Sequence, residues 1–388
     1  MSELLHGRWN ETREALLEGL SGTRRSTMSI TLENTRKYLM ESPSAGATSA
    51  GNVATLNRVI LPVIRRVMPT VIANELVGVQ PMTGPVGQIH TLRVRYATTS
   101  AGAGVVAGEE ALSPFKIAEA YSGNESTGKG ASTATLEGAA GNKLSIQILK
   151  QTVEAKTRKL SARWTFEAAQ DAQAQQGIDI EAEIMAALAQ EITAEIDQEV
   201  LASLTTLAGS AVETYNQAAV SGTATFVGDE HAALAVQINR VANLIAQRTR
   251  RGAGNWAVVS PTALTILQSA TTSAFARTTE GTFEAPTNTK FVGTLNSAMK
   301  IYVNSYATTD NVLVGYKGTS ESDAAAFYCP YIPLMSSGVV LDPATFEPVV
   351  SFMTRYGYVE LSNTASSLGN AADYLGLVNI TTANVKFS

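Results

Sequence analysis

Apolar side chains recur at every fourth position over one stretch of the chain and give the strongest structural prediction. The stretch runs from position 179 to position 204 and spans 26 residues. This spacing places side chains on one face of an α-helix, which at ~1.5 Å per residue would be ~39 Å long. The sequence therefore predicts a long amphipathic helix with an apolar stripe of Ile180, Ile184, Leu188, Ile192, Ile196, Val200 and Leu204.

Shorter patterns alternate between helical and strand periodicity. Helices are predicted at 1–20, about 31–41 and 229–250, a linker at 42–51 and a strand at 88–96. Because the two N-terminal helices are too short to enclose a core, we expect an arm that lies on other surfaces. Helices and strands in mixed order along the chain predict the α+β class.

Residues 97–142 differ in composition from the rest of the chain. They contain eight glycines in 46 residues and two aromatic residues, Phe115 and Tyr121. So little apolar bulk predicts that the segment has no core of its own. Apolar alternation resumes from Leu144 to Ile148, so we expect a hairpin-like excursion with ~23 residues in each arm. At ~3.3 Å per residue it would reach up to ~75 Å and need a partner surface.

Composition narrows the class of protein. The formal net charge is −5, whereas chains that grip nucleic acid through its phosphates usually carry a basic surplus. The single cysteine, Cys329, excludes an intrachain disulfide and is expected to be buried and unreactive. Neither metal-ligand spacing nor a catalytic motif is found, so we predict no enzymatic activity, metal or cofactor. No apolar run matches a signal peptide or membrane span, and we expect a cytoplasmic chain.

Charge is segregated along the chain. Between Trp164 and Asn239 there are twelve acidic residues and no lysine or arginine, and a basic cluster comes just before. One interpretation is a solvated acidic helix face; the other is pairing between the basic cluster of one subunit and the acidic helix of another, which would fix register more than affinity. We favour the second, whose candidate interface residues are Lys156, Arg158, Lys159, Arg163, Glu181, Glu183, Glu191 and Glu195.

The segment Gly123–Gly130, GNESTGKG, nearly matches a phosphate-binding loop. That motif requires Ser or Thr after its lysine, together with a strand before and a helix after. Gly130 stands in the place of the hydroxyl residue, and neither flanking element is predicted. A nucleotide-binding enzyme is therefore an alternative that rests on this segment alone.

Four segments carry a family pattern. They are NRVILPVIRRVMPTVIANELVGVQPMTGPVGQIHTLRVRY from Asn57, TRKLSARWTFEAAQDAQAQQGIDIEAEIMAALAQEITAEIDQEV from Thr157, VGYKG from Val314 and DPATFEPVVSFMTRYG from Asp342. In this order they resemble the major capsid proteins of T-even-type contractile-tailed phages. The resemblance covers roughly a third of the chain and implies the HK97-like capsid fold.

The HK97-like fold implies a fixed order of parts, which the patterns above match. The implied parts are an N-terminal arm at 1–51, a first peripheral part at 52–90, an extended β-hairpin loop at 91–150, a peripheral domain with a long spine helix at 151–208, an axial domain at 209–345 and C-terminal peripheral strands at 346–388. Larger relatives carry an inserted domain in the extended loop, which we expect to be absent or vestigial.

The resemblance also implies the function. We expect a major capsid protein of the virion that assembles in the host cytoplasm into hexamers and pentamers, forming an icosahedral head around double-stranded DNA. Its main partner is itself, with portal, vertex and decoration proteins as further candidates. A minor vertex protein of the same family is the nearest alternative, ahead of an encapsulin-like compartment shell. Relatives are cut after a Leu/Ile-x-Glu pattern, which Glu18 and Glu41 fit, but we expect an uncleaved subunit.

Overall fold

The structure is a computed structural model of the 388-residue chain. It describes residues 9, 13, 14, 16, 17, 20–41, 71–109, 111, 118, 120–124, 126–137, 141–176, 179–220, 227–249, 251–270, 275–277, 290–319, 323–342, 344, 345, 347–361, 371–382 and 385. The predicted linker at 42–51 lies outside the described residues.

Helices and strands alternate along the chain, which confirms the predicted α+β class. The helices are α1 (Gly22–Glu41), α2 (Ala73–Leu76), α3 (Thr133–Leu136), α4 (Phe166–Gln176), α5 (Ile180–Ala208), α6 (Gln217–Val220), α7 (Val227–Thr249) and α8 (Pro261–Ser269), with a 3-10 turn at Ala371–Tyr374. The strands are β1 (Gly78–Val79), β2 (Val86–Tyr96), β3 (Leu144–Glu154), β4 (Lys156–Arg163), β5 (Glu213–Tyr215), β6 (Trp256–Val259), β7 (Phe275–Arg277), β8 (Lys290–Leu295), β9 (Met299–Val303), β10 (Asn311–Gly315), β11 (Ala326–Ser336), β12 (Val340–Leu341), β13 (Pro348–Glu360) and β14 (Leu375–Ile380).

The long predicted helix is present as α5, the spine helix, which spans 29 residues or ~44 Å. Its stripe is buried from Leu188 to Leu204, and Ile184 is half-buried nearer the beginning. Asp179 caps the beginning, because its Oδ1 accepts a hydrogen bond at 3.1 Å from the amide two residues further on. Gly209 ends the helix with a φ of +70°, a left-handed conformation that costs glycine little.

The chain divides into two compact units, and unit 1 is built around a five-stranded sheet. Unit 1 consists of Met1–Gly87, Val153–Ser203 and Ala326–Val359. Its strand order is β1-β11-β13-β12, with β4 also paired to β13. Val349 of β13 pairs with Val340 of β12 and with Arg163 of β4, so β12 and β4 lie on opposite edges of β13. Strand β4 is therefore an outer strand of this sheet among the described residues.

Helix α1 packs against β11 within unit 1 and buries Met28 and Leu32. The Asn34 side-chain amide donates to the Met82 carbonyl at 2.5 Å. Met28 and Leu32 of α1 are thus buried by the chain itself, whereas the wider expectation of an arm at 1–51 stays a prediction. The helix also begins earlier than predicted and is long enough to contribute to a core.

Unit 2 holds a seven-stranded sheet with its own core. It consists of Gln88–Thr152, Leu204–Ala325 and Glu360–Ser388. The strand order is β5-β14-β10-β6-β9-β8-β7. Helices α7 and α8 pack on this sheet, and their apolar side chains form one core with those of the strands. Leu234 and Ile238 of α7 are fully buried in that core, as are Val312 and Val314 of β10.

Two glycines of the segment VGYKG are explained by close packing in unit 2. A Cβ atom at Gly315 would collide with the indole ring of Trp256, and one at Gly318 would collide with the Asp323 side chain. Glycine has no Cβ atom and so permits both approaches. The pattern that carries part of the family resemblance therefore has a packing reason.

Two strands lie in a different unit from the one that the predicted domain bounds would give them. Strand β11 falls within the predicted axial domain 209–345 but belongs to the sheet of unit 1. Strand β14 falls within the predicted peripheral strands 346–388 but pairs with β10 and β5 in the sheet of unit 2. Both differences arise because sheet partners are decided by packing between segments that are distant in sequence.

The predicted hairpin is present as a two-stranded ribbon of β2 and β3. The expectation that 97–142 builds no core is wrong, however, because two tyrosines supply the missing bulk. The rings of Tyr96 and Tyr121 meet edge to face with centroids 4.6 Å apart, and the Tyr121 hydroxyl donates to the Lys143 carbonyl at 2.7 Å. The small core at the ribbon tip contains Tyr96, Ala103, Val105, Ala111 and Tyr121.

Ile192→Ala should lower the free energy of unfolding by about 2–5 kcal/mol, because Ile192 is buried on the spine stripe and its loss leaves a cavity. Gln190→Ala, at an exposed position of the same helix, is the control and should change stability by less than about 0.5 kcal/mol. Chemical unfolding of both variants measures the difference. Equal midpoints for Ile192→Ala and the wild type would contradict a buried spine.

Candidate subunit interface

Strand β4 carries the predicted basic residues and turns alternate side chains to its two faces. Lys159 and Arg163 are exposed on one face, whereas Arg158 and Leu160 are half-buried on the other. Lys156, at the beginning of the strand, is also exposed. Three of the four basic residues are therefore open to solvent, and Arg158 is turned inward.

Arg158 binds three groups of its own chain, which together form the Arg158 cluster. Its Nη1 donates to Glu195 Oε2 at 2.7 Å and its Nη2 donates to Glu199 Oε2 at 2.5 Å. Its Nε donates to the Tyr356 hydroxyl at 2.6 Å, and that hydroxyl donates in turn to Glu199. The planar guanidinium group presents its donors in a rigid fork that suits several acceptors at once. The cluster joins β4, β13 and α5.

Hydrogen bonds within the Arg158 cluster stabilise the charged forms of Arg158 and Glu199. Burial alone would lower the pKa of Arg158, but its hydrogen bonds to Glu199 and Tyr356 and their charges outweigh burial and raise that pKa. Burial would likewise raise the pKa of Glu199, but the hydrogen bonds from Arg158 and Tyr356 lower it. Burial and the contact with Glu199 raise the pKa of Tyr356. At neutral pH the cluster is therefore an ion pair bridged by a protonated tyrosine.

The structure brings some predicted interface residues together within one chain. Pairing between subunits is wrong for Arg158 and Glu195, which bind each other because β4 lies beside the spine helix. Arg163 also has a partner in its own chain, Glu347, at 3.7 Å. Glu183 and Glu191 are exposed on the spine helix and Glu181 is half-buried. The interface assignment stays a prediction for Lys156, Lys159, Glu181, Glu183 and Glu191.

Two members of the cluster, Glu199 and Tyr356, are not singled out by sequence reasoning. Glu199 lies four residues after Glu195 and hence on the same helix face, a spacing that is visible in the sequence. Tyr356 approaches through strand register, since β4 pairs with β13 so that Arg158 lies opposite Thr354. Alternation within a strand does not reveal which residues of another strand lie opposite.

Strand β3 presents an apolar stripe to solvent. Leu144, Ile146 and Ile148 are 53%, 69% and 65% exposed, and their alternation places them on one face of the strand. We call these three residues the ribbon stripe. A two-stranded ribbon cannot bury such a face by itself, and a contiguous exposed apolar patch marks an interaction site.

Helix α4 is a second element with little burial of its own. It has 11 residues, and among its described side chains only Ala169 is half-buried while the others, including Phe166, are exposed. None of the described side chains of α4 is fully buried, and a helix of this length is marginal in water by itself. The ribbon stripe and α4 thus both indicate a subunit that other chains complete.

The segment that nearly matches a phosphate-binding loop folds as a turn. Asn124 and Lys129 form an isolated β-bridge, and Asn124 Oδ1 accepts a hydrogen bond from the Ser126 amide at 3.0 Å. The helix that follows, α3, has four residues, and the preceding strand β2 ends at Tyr96. The strand and helix that a phosphate-binding loop requires do not flank the segment, so nucleotide binding is not supported.

The remaining candidate sites have simple outcomes. Cys329 is buried as predicted, and burial raises the pKa of its thiol to about 12, which leaves it unreactive. Among the described residues no group of three or more His, Cys, Asp or Glu side chains could hold a metal ion. Within the same ranges no helix is sufficiently long and apolar to span a membrane. Glu18 and the side chain of Glu41 lie outside the described residues.

The exposed ribbon stripe and the exposed side chains of α4 indicate a class of protein, the subunit of a larger assembly. Solved phage structures match most of the chain. A chain from Mycobacterium phage Bobi matches with a TM-score of 0.48 and 12% identity, over 79% of this chain and 89% of that chain. One from the capsid of Myoviridae Phage XM1 matches with a TM-score of 0.42 and 10% identity, over 79% and 91%.

The family follows from sequence comparison. The model of the family described as Major capsid protein Gp23 matches residues 53–380. The major capsid protein of Vibrio phage KVP40 is 29% identical, over 84% of this chain and 81% of its own length. That of Enterobacteria phage T4 is 30% identical, over 81% and 77%. The chain belongs to the Gp23 family of major capsid proteins, which confirms the HK97-like α+β fold and the function of a structural capsid subunit.

Arg158→Ala should lower the free energy of unfolding by about 1–3 kcal/mol, because it leaves Glu199 and Tyr356 partly buried without their shared donor. Lys159→Ala, at the next and exposed position of β4, is the matched control and should change stability by less than about 0.5 kcal/mol. Thermal or chemical unfolding measures both variants. If the two variants unfold alike, the cluster contributes nothing to stability.

Proposed function

We propose that the chain assembles into hexamers and pentamers that close an icosahedral phage head around double-stranded DNA. Membership of the capsid family supports the role of shell subunit. The relatives named above bear the description of the major capsid protein, which favours this role over that of a minor vertex protein. The exposed ribbon stripe is the observation that carries the mode of assembly.

In this proposal the ribbon stripe lies on a neighbouring copy of the chain. Its three side chains are more than half exposed, and complete burial of one aliphatic side chain contributes about 1.5–3 kcal/mol. One such contact is modest against the entropy that association costs. A closed shell repeats the contact at every subunit, so that multivalent binding makes the particle stable.

A second contact between copies is electrostatic. Lys156 and Lys159 are exposed on β4, whereas Glu183 and Glu191 are exposed on a spine helix that carries no basic residue. An exposed ion pair is worth only about 0–1 kcal/mol, so these charges select the partner surface and its register more than they add affinity. All four residues belong to the predicted interface. Within the described part of the chain, the structure shows no ion pair between any two of them.

The shell encloses DNA without sequence-specific binding. A net charge of −5 provides no basic surplus, and without one the affinity for phosphate groups is weak. Weak affinity allows the genome to leave the head. Portal, vertex and decoration proteins are the further partners of the shell, which assembles in the host cytoplasm and performs no catalysis.

Replacing Ile146 and Ile148 together by serine should abolish closed particles while leaving the melting temperature of the isolated chain unchanged, because both side chains are exposed. Gln147→Ser, at the exposed position between them, is the control and should assemble normally. Sedimentation and electron microscopy of the purified chain measure assembly. Closed particles in normal yield from the double variant would show that the stripe is not a contact between copies.

Lys159→Glu should reduce assembly several-fold at ~0.1 M salt without changing the melting temperature, because Lys159 is exposed and the reversal acts only between copies. The defect should fade at ~1 M salt, where the Debye length falls to ~3 Å. Arg158 is left unchanged because its contacts within the chain affect stability. Lys300→Glu, an exposed reversal in unit 2, is the control. Assembly that is indifferent to both Lys159→Glu and salt would rule out the electrostatic contact.

A further inference from the structure

Asp197 is a carboxyl group buried within unit 1 that the assembly role does not use. It lies on the spine helix and is 1% exposed. Its Oδ1 accepts a hydrogen bond from the Ile72 amide at 2.8 Å. Its Oδ2 is buried and has no hydrogen-bond partner in the described part of the chain. An ionised carboxylate in this position is costly, because burial of a charge requires compensation at both oxygens.

Ile72, whose amide donates to Asp197, lies near the beginning of segment 71–79. This segment belongs to unit 1 and precedes the ribbon along the chain. This segment contains α2 and β1, and β1 pairs in parallel with Phe327 and Tyr328 of β11. The next residue is also fixed to β11, since the Gln80 amide donates to the Tyr328 carbonyl at 3.0 Å. Backbone bonds thus tie the end of the segment to the sheet, whereas Asp197 ties its beginning to the spine helix.

Among the described residues, no cation contributes to the electrostatics of Asp197. From β11 the Tyr328 hydroxyl faces it, and burial raises the pKa of that tyrosine, so the hydroxyl stays neutral. On the spine helix itself, Glu195 and Glu199 are bound by Arg158. On α2 the acidic residue is Glu75, which pairs with Arg24 of α1.

We propose that Asp197 is a proton-controlled latch: its neutral carboxyl group holds segment 71–79 on the spine helix, and its ionisation loosens that segment. The neutral carboxyl group suits this site better than the carboxylate does, because it carries no buried charge. Its unprotonated oxygen still accepts a hydrogen bond from the Ile72 amide. The latch acts within a single chain, so it does not depend on the proposed mode of assembly.

Titration of the latch has a definite direction. Burial raises the pKa of Asp197 from its ordinary value of 3.8 to about 7, against the smaller opposing effect of the Ile72 hydrogen bond. Because the folded pKa is the higher one, the closed segment holds a proton that the open segment releases. The stabilisation is therefore complete at pH values below about 4 and is lost as the pH rises through about 7.

Hydrogen exchange of the full-length chain at about pH 6 and pH 8.5, corrected for intrinsic exchange rates, tests the latch. The protection of amides 71–79 should fall about tenfold between these pH values in the wild type, the ratio that linkage gives for the raised pKa. Asp197→Asn keeps the acceptor and removes the charge, so its protection should not change with pH. Glu154→Gln, at an exposed carboxyl group of unit 1 that belongs to neither proposed contact, should behave like the wild type.

A comparison of two regions within the wild type tests the proposal even if a variant fails to fold. Amides of β10 serve as the internal reference, because that strand belongs to the sheet and core of unit 2, whereas segment 71–79 belongs to unit 1. The proposal requires that protection of 71–79 falls relative to β10 as the pH rises. A constant ratio in the wild type, or an equal fall in Asp197→Asn, would overturn it.

Discussion

Burial of one side of the spine helix is the interaction on which unit 1 depends. The stripe that includes Ile192 fixes the rotation of α5 about its axis, and this rotation aims the polar side chains between Glu195 and Glu199. Glu195 and Glu199 hold Arg158 of β4, and Asp197 holds Ile72. The segment before the ribbon and the strand after it are thus both anchored within about one turn of the same helix.

Contacts of two kinds can be distinguished: those that the chain makes within itself, and those that the proposed assembly would make with other copies. Each unit encloses buried apolar side chains of its own, as Leu188 in unit 1 and Ile238 in unit 2 illustrate. The ribbon stripe and helix α4 have no comparable cover among the described residues. A capsid subunit needs such a division, because contacts that are satisfied within the monomer cannot drive assembly. In the proposed assembly, the small core at the ribbon tip would preserve the shape of the ribbon before it meets a partner.

Sequence reasoning succeeded where one local pattern decides the outcome. The spine helix has a period of four residues over more than six turns, and few other structures compete with it. The core at the ribbon tip was not predicted, because Tyr96 and Tyr121 are distant in sequence. The segment between them is rich in turns and low in apolar content, so no local pattern indicates their contact. The partner of Arg158 was also not predicted, for a related reason. Charge segregation along the sequence predicts contacts between opposite charges. Strand register decides whether these contacts form inside one chain or between two chains.

In the proposed shell, the ribbon stripe becomes buried between neighbouring copies of this chain. Cryo-electron microscopy of particles assembled from the purified chain tests it most directly, since side-chain contacts between neighbouring subunits can be read from the density. We expect closed shells in which Leu144, Ile146 and Ile148 pack against an adjacent copy. Shells in which the three side chains face solvent, or a chain that stays monomeric under all assembly conditions, would contradict it.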